Sequence, residues 1–331
     1  MKIVITGGGG FVGSVLAARL LSEGALVGPS GARERIDTLV IADQAPTTHA
    51  AAPADARVEV AAGDVTDHAF LRSVIDREDT SVFHLASLVS GGCELDFDRA
   101  LEVNVDGCRA VLDACRAIGS RPRVVFSSSS AVYGGPSVVG VVSDDTKPVP
   151  ETTYGMTKAI SELLVNDHTR KGFIDGRSAR LPTVVIRPGR PNSAASSWVS
   201  GIFREPLNGE ECIVPVDQTT RVPLSGHRSV AENLIRLHDA DGDLLGVDRA
   251  LNLPSLTVTA SDIVAELRTV RDRALGPIRF RPDPFVTRIY EGWAAQLSFD
   301  RATALGLVRD DGLHTIVRAY LEDFVAGVGS A

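Results

Sequence analysis

The chain is poor in the residues that would place it in several whole classes of protein. Its four cysteines, Cys93, Cys108, Cys115 and Cys212, include no C-x-x-C pair. That spacing excludes a disulfide framework and suits reduced thiols in a cytoplasm. Its seven histidines are scattered without metal-ligand spacing, so no metal is expected. Basic charge is also scarce: the net charge of −8 leaves no stripe to displace counterions from nucleic acid. No apolar run is long enough to cross a membrane. The opening, Met1-Lys2 before a strand and glycines, is too short and too structured for a signal peptide. There is no internal repeat and no low-complexity linker. What remains is an ordinary globular composition, 44% hydrophobic and 23% charged over 331 residues. Such a length buries one large core, or a nucleotide domain with a smaller partner.

The chain is organised around Thr6-Gly-Gly-Gly-Gly-Phe-Val-Gly13. Met1 to Ile5 reads as a buried strand, and Phe11 to Leu21 carries apolar residues at helical spacing. Between them Gly7, Gly10 and Gly13 fall at G-x-x-G-x-x-G. Gly7 permits the tight strand-to-helix turn, Gly10 lets a pyrophosphate approach the backbone, and Gly13 lets the helix lie close to the sheet. Asp43 ends the next strand, Leu39 to Ala42, 30 residues beyond Gly13. An acid there accepts from adenosine ribose hydroxyls and repels a 2′-phosphate, which favours NAD over NADP. The usual spacing is about 20 residues, and the polar interruption Gly28–Arg35 accounts for the excess. Arg33 and Arg35 are the residues that would argue for NADP.

Further strands are expected at Arg57–Ala61, Ser81–Ala86, Val124–Ser127 and Ala179–Ile186. Helices are expected from about Asp67, over Phe97–Ile118 and over Tyr154–His168, and Thr47–Ala56 reads as a surface loop. This alternation predicts an α/β, Rossmann-like, doubly wound parallel sheet with its ligand crevice at the strand carboxyl ends. Asp64 follows the third strand, where it either meets the adenine amino group or caps the following helix. Domain organisation is read as 1–190 for the dinucleotide, with a returning segment near 225–246. The remainder of 191–331 forms a smaller, discontinuous lobe with no chemistry of its own, built partly on helices at Asp262–Leu275, Phe285–Trp293 and Leu313–Val325.

Two stretches carry the chemistry. Phe126-Ser-Ser-Ser-Ser-Ala-Val-Tyr-Gly134 places a serine cluster at a strand's carboxyl end, and Tyr154-Gly-Met-Thr-Lys158 opens a helix. Four-residue spacing puts Tyr154 and Lys158 on one helical face. Making a phenol of pKa about 10 a base near neutrality requires about 4 kcal/mol of preference for phenolate. An ammonium about 5 Å away supplies on the order of 3 kcal/mol, and a positive nicotinamide ring the remainder.

Together these motifs resemble the extended short-chain dehydrogenase/reductase family, the NAD-dependent epimerase/dehydratase type. The resemblance implies NAD as cofactor and a catalytic set of Ser129, Tyr154 and Lys158, with Ser129 25 residues before Tyr154. It also implies that Asn104 holds an active-site water or a backbone turn. Cofactor contacts are implied for Gly7, Gly10, Phe11, Val12, Gly13, Asp43, Asp64, Val65, Leu85, Ala86, Asn104, Tyr154, Lys158 and Pro188. A homodimer through the helices Phe97–Ile118 and Tyr154–His168 is a further implication.

Departures from the family pattern narrow the substrate. Family members often show Arg-x-x-Asn after the sixth strand, whereas Arg187-Pro-Gly-Arg-Pro-Asn192 has Arg190 in the asparagine's place. An arginine fork suits a carboxylate better than a neutral sugar hydroxyl. Pro215–Leu224 also lacks the Gly-x-Gly and Arg-Asp-Phe features that frame a nucleotide, save for Arg221. The stretches Leu181–Trp198 and Ser200–Leu207, with Leu88–Gly92 and Tyr133–Pro136, resemble the branch of the family that oxidises D-erythronate. The implied reaction is NAD-dependent oxidation of the 2-hydroxyl of a small sugar acid. Its substrate would meet Ser90, Ser129, Tyr154, Arg190, Asn192 and Ser197. The rival readings are a nucleotide-sugar epimerase or dehydratase, and a non-catalytic dinucleotide sensor.

Overall fold

The computed structural model describes residues 1–45, 54–191, 196–271 and 273–325. Seven strands build one parallel sheet: β1 (Lys2–Thr6), β2 (Thr38–Asp43), β3 (Val58–Ala62), β4 (Thr80–His84), β5 (Arg123–Ser129), β6 (Asp175–Leu181) and β7 (Ala250–Asn252). Their order across the sheet is β3-β2-β1-β4-β5-β6-β7. The central strand β1 is buried throughout, because helices cover both faces. Its Ile3 and Ile5 join one apolar layer and its Val4 the other, as period-two alternation requires. On the first face lie α1 (Phe11–Glu23) and α6 (His227–Asp239), and Leu16 and Leu20 share a core with Val230 and Leu234. On the second lie α2 (His68–Val74), α3 (Gly107–Ile118) and α4 (Thr153–Arg170), contributing Leu71, Val111 and Val165. The doubly wound sheet expected from the alternation is the fold the chain adopts.

Several local expectations are corrected. Ala179–Ile186 is not one strand but two, because Pro182 has no N–H to continue the ladder. β6 ends at Leu181, and Thr183–Val185 pairs instead with Arg221–Gly226 in a second, three-stranded sheet. The polar interruption after α1 is a small antiparallel hairpin, Ala25–Val27 against Arg33–Arg35. Phe97–Ile118 is helical throughout but interrupted by a π-turn at Glu102–Asp106, and a short helix, Ser90–Leu95, precedes it. Of the loop expected at Thr47–Ala56, residues 47–53 lie outside the described residues. Strand β7 was not signalled by periodicity, since three residues are too few to show any.

The second sheet shares a separate apolar core with α5 (Ser197–Leu207) and the helices Ala260–Leu267 and Leu313–Tyr320. Among the described residues, no helix is long and apolar enough to cross a membrane.

Candidate active site

A cleft of about 660 Å³ runs along the carboxyl edge of the sheet, over the point between β1 and β4 where strand order reverses. One end of it is made of backbone. Gly7 has φ +72°, and a Cβ there would stand 2.6 Å from the Ala86 nitrogen. A Cβ on Gly13 would stand 2.5 Å from the Gly7 carbonyl oxygen. The glycine turn, α1 and the Leu85–Ala86 turn are therefore packed main chain against main chain. No acidic side chain occupies the first turn of α1, whose free N–H groups and dipole make a seat for a pyrophosphate. Phe11, Val12, Val65, Leu85 and Ala86 line the same end.

Asp43 lines the cleft at the end of β2, its carboxylate accepting from the Gly9 N–H at 3.0 Å and the Ala45 N–H at 3.2 Å. Arg33, which would have argued for NADP, is instead held by Glu23 and Asp239. Asp64 does not line the cleft. It accepts from Thr66, from Gln44 at 2.6 Å and from Arg99 at 3.2 Å. Burial pushes its carboxyl up, but the Thr66 and Arg99 hydrogen bonds hold it below the usual range. The helix cap considered for Asp64 is provided by Asp67, which accepts from Ala69 and Phe70.

The catalytic candidates converge where β5 ends and α4 begins. Thr152 caps α4 by accepting from the Gly155 N–H at 3.0 Å. Gly155 lies so close to the Ala131 carbonyl that no side chain fits between them, and this contact brings Tyr154 to the Ser129 loop. Ser129, Tyr154 and Lys158 all line the cleft. The Lys158 Nζ donates to the Ser127 carbonyl at 2.7 Å and lies 5.5 Å from the centre of the Tyr154 ring. Burial pushes the Tyr154 phenol up to about 12, with the Ser129 hydroxyl opposing the rise. Burial also lowers the Lys158 ammonium to about 8. Desolvation thus outweighs the acidifying effect of Lys158 expected from spacing alone, and a further positive charge is needed for a phenolate.

Asn104 does not reach the cleft. Held in the π-turn and 3% exposed, its Oδ1 accepts from the Leu88 N–H at 2.7 Å. Its Nδ2 donates to the Leu88 carbonyl at 3.2 Å and to the Thr157 hydroxyl at 3.0 Å. It fastens the loop after β4 to α4, one residue before Lys158. That makes it a positioning residue.

Of the expected substrate contacts, Ser90 and Ser197 line the cleft and Asn192 lies outside the described residues. Arg190 is exposed and outside the cleft lining, as is the half-buried Pro188. The turn at Gly189, φ +78°, carries Arg190 to the surface. Arg187 and Arg204 line the cleft instead. The Arg187 N–H donates to the Ser200 hydroxyl at 3.1 Å, and its carbonyl accepts from Arg204 at 2.8 Å, fixing its backbone. Burial, and then the Arg204 charge, lower the Arg187 guanidinium. Arg204 itself is paired with Glu205 at 2.6 Å. Sequence reasoning quoted Arg187 but passed over it for its neighbour three residues on. It missed Tyr290 and Trp293 altogether, which line the cleft from the last third of the chain with no local motif to mark them.

Comparison with known proteins agrees with this geometry. The chain is 44% identical to a D-erythronate dehydrogenase of Cupriavidus necator over 98% of each chain. It is 37% identical to a D-erythronate dehydrogenase of Haemophilus influenzae over 97% of this chain and 99% of the relative. A crystal structure described as a nucleoside-diphosphate-sugar epimerase from Agrobacterium tumefaciens superposes with a TM-score of 0.89 at 37% identity, covering 99% of this chain and 95% of that one. The model of the NAD dependent epimerase/dehydratase family matches residues 3–243, and with the glycine cradle and the Ser129, Tyr154 and Lys158 cluster in one cleft, the chain belongs to that family.

Proposed function

We propose that the protein is an NAD-dependent dehydrogenase that oxidises the 2-hydroxyl of D-erythronate to 2-dehydro-D-erythronate. The observation that carries the reading is one cleft holding three things: the glycine cradle, the Ser129–Tyr154–Lys158 cluster and a wall with Arg187 and Arg204. Among the described residues that line it, Asp43 is the one acid, against Lys158 and four arginines. That imbalance suits an anionic cofactor together with an anionic substrate.

Bound NAD supplies the hydride acceptor and, in its positive ring, the charge that favours a Tyr154 phenolate. Tyr154 takes the proton of the C2 hydroxyl while Ser129 hydrogen-bonds the same oxygen. The C2–H bond breaks with its electron pair leaving as hydride, and the C2–O bond becomes a carbonyl. The balanced products are the 2-keto acid, NADH and one proton. Lys158 holds its charge beside the phenol, and its bond to the Ser127 carbonyl ties it to β5. Arg187 replaces Arg190 as the ligand for the substrate's carboxylate, since it is the one of the two that reaches the cleft. The large sheet domain binds the cofactor, and the smaller lobe encloses the substrate.

The exposed Leu95, Phe97 and Leu163 support a homodimer built on the helices that carry them. All four cysteines are free and buried, in keeping with a reducing cytoplasm.

The name of the Agrobacterium structure favours a second reading, a nucleotide-sugar epimerase, which returns the hydride to its substrate. Turnover separates the two. With D-erythronate and NAD, reduced coenzyme accumulates in proportion to substrate. No accumulation with any four- to six-carbon aldonic or uronic acid, alongside conversion of a nucleotide sugar, establishes the epimerase instead. A sensor would keep its function in a Tyr154→Phe variant.

A further inference from the structure

The last third of the chain does more than enclose the cleft. The helix Pro284–Glu291 ends against it, and Tyr290, Trp293 and Ala294 all line it. Tyr290 is bracketed by two indoles, Trp198 on α5 at 5.5 Å and Trp293 at 5.0 Å between ring centres. The segment that follows touches both catalytic loops. Ala294 packs with Val132 and Tyr133, just past Ser129. Gly292 faces Glu151, three residues before Tyr154, where a Cβ would stand 2.7 Å from the carboxylate. Tyr290 is thereby placed between α5 and the loops that carry Ser129 and Tyr154.

Its buried hydroxyl oxygen lies at the Trp198 indole N–H, which opposes the rise that burial imposes on the phenol, and among the described residues no acceptor takes the hydroxyl's own proton. A buried hydroxyl proton left without an acceptor is costly, and a polar ligand atom recovers that cost. The indole N–H can only donate, so the phenol's own proton is directed elsewhere. The cleft offers the place. Two aromatic rings around it make a poor seat for a carboxylate and a good one for the C–H faces and hydroxyl of a short polyol chain.

We propose that Tyr290 is a specificity residue whose hydroxyl binds the terminal hydroxyl of the four-carbon acid. The carboxylate lies at Arg187, C2 at Tyr154, and the neutral tail at Tyr290. This assignment rests on the sugar-acid reading above and extends it to chain length.

The test crosses two enzymes with two substrates: wild type and Tyr290→Phe, each with D-erythronate and with its 4-deoxy analogue. Expected is a fall in kcat/KM for D-erythronate of roughly 3- to 10-fold in Tyr290→Phe, with the analogue unchanged between the two enzymes. NAD affinity and melting temperature stay at wild-type values. Equal losses on both substrates, or no loss on either, overturn the role of Tyr290. Wild-type enzyme that oxidises neither acid sinks the sugar-acid reading and this inference with it. Wild-type turnover of D-erythronate beside an indifferent Tyr290→Phe sinks this inference alone.

Discussion

The two ends of the cleft are built from different materials. The dinucleotide end is main chain, with Gly7, Gly13 and Ala86 packed so closely that no side chain fits. The substrate end is side chains: Ser129, Tyr154, Arg187, Ser197 and Tyr290, drawn from five separate stretches. A pyrophosphate is the same in every enzyme of this fold, so its seat can be rigid and short in sequence. A substrate pocket that differs between relatives is assembled residue by residue, from elements that meet only on folding.

The sharpest break of that comparison is Tyr154→Phe. It should lower kcat at least about 1000-fold and leave the NAD dissociation constant within about twofold, since the phenol serves chemistry rather than the cradle. Equal losses in both would merge the two ends. The pH profile sharpens the same point. Tyr154 stands at about 12 and Lys158 at about 8, so the working pair, phenolate beside ammonium, holds one proton fewer than the resting pair. That proton leaves as pH rises through about 8, so kcat/KM climbs about tenfold per unit below that value and flattens above it. A rate falling over the same range contradicts this ordering. Next in size, Arg187→Ala should raise KM for the acid at least about 30-fold, whereas Arg190→Ala changes it less than about twofold. Reversed sensitivities would return the carboxylate to Arg190. Smallest in activity is Gly13→Ala, whose new methyl meets the Gly7 carbonyl at 2.5 Å. It should cost roughly 1–3 kcal/mol of stability and weaken NAD binding, read by denaturant midpoint and calorimetry, with KM for the acid unchanged.

The same division governs what a reader of the sequence can recover. Gly7, Gly10, Gly13, Asp43, Ser129, Tyr154 and Lys158 each sit in a short run whose spacing follows from local geometry. The sheet was legible for the same reason where its strands read as apolar runs, but β6 buries Arg177, Ser178 and Arg180 and was recovered only at its end, and β7 is too short to show a run. Arg187 and Arg190 defeated that approach because a turn at Gly189 decides which of them faces inward, and a turn's direction is not a spacing. Tyr290 was out of reach for a stronger reason. It lies 136 residues past Tyr154 and is placed by Trp198 and Trp293 through long-range packing. Gly155 was quoted within its motif, yet only the Ala131 carbonyl pressed against it shows why no larger residue would serve. The magnitude of burial was equally hidden: spacing gives Lys158 a neighbour in Tyr154, but not the desolvation that dominates both groups.

The single extra residue in the helix at Asn104 has a mechanical consequence. By looping out one turn, it lets one amide clasp the Leu88 N–H, the Leu88 carbonyl and the Thr157 hydroxyl together. A wall of the cleft is therefore latched to the helix that carries Tyr154 and Lys158. Whatever loosens that amide slackens the wall and the helix as one piece.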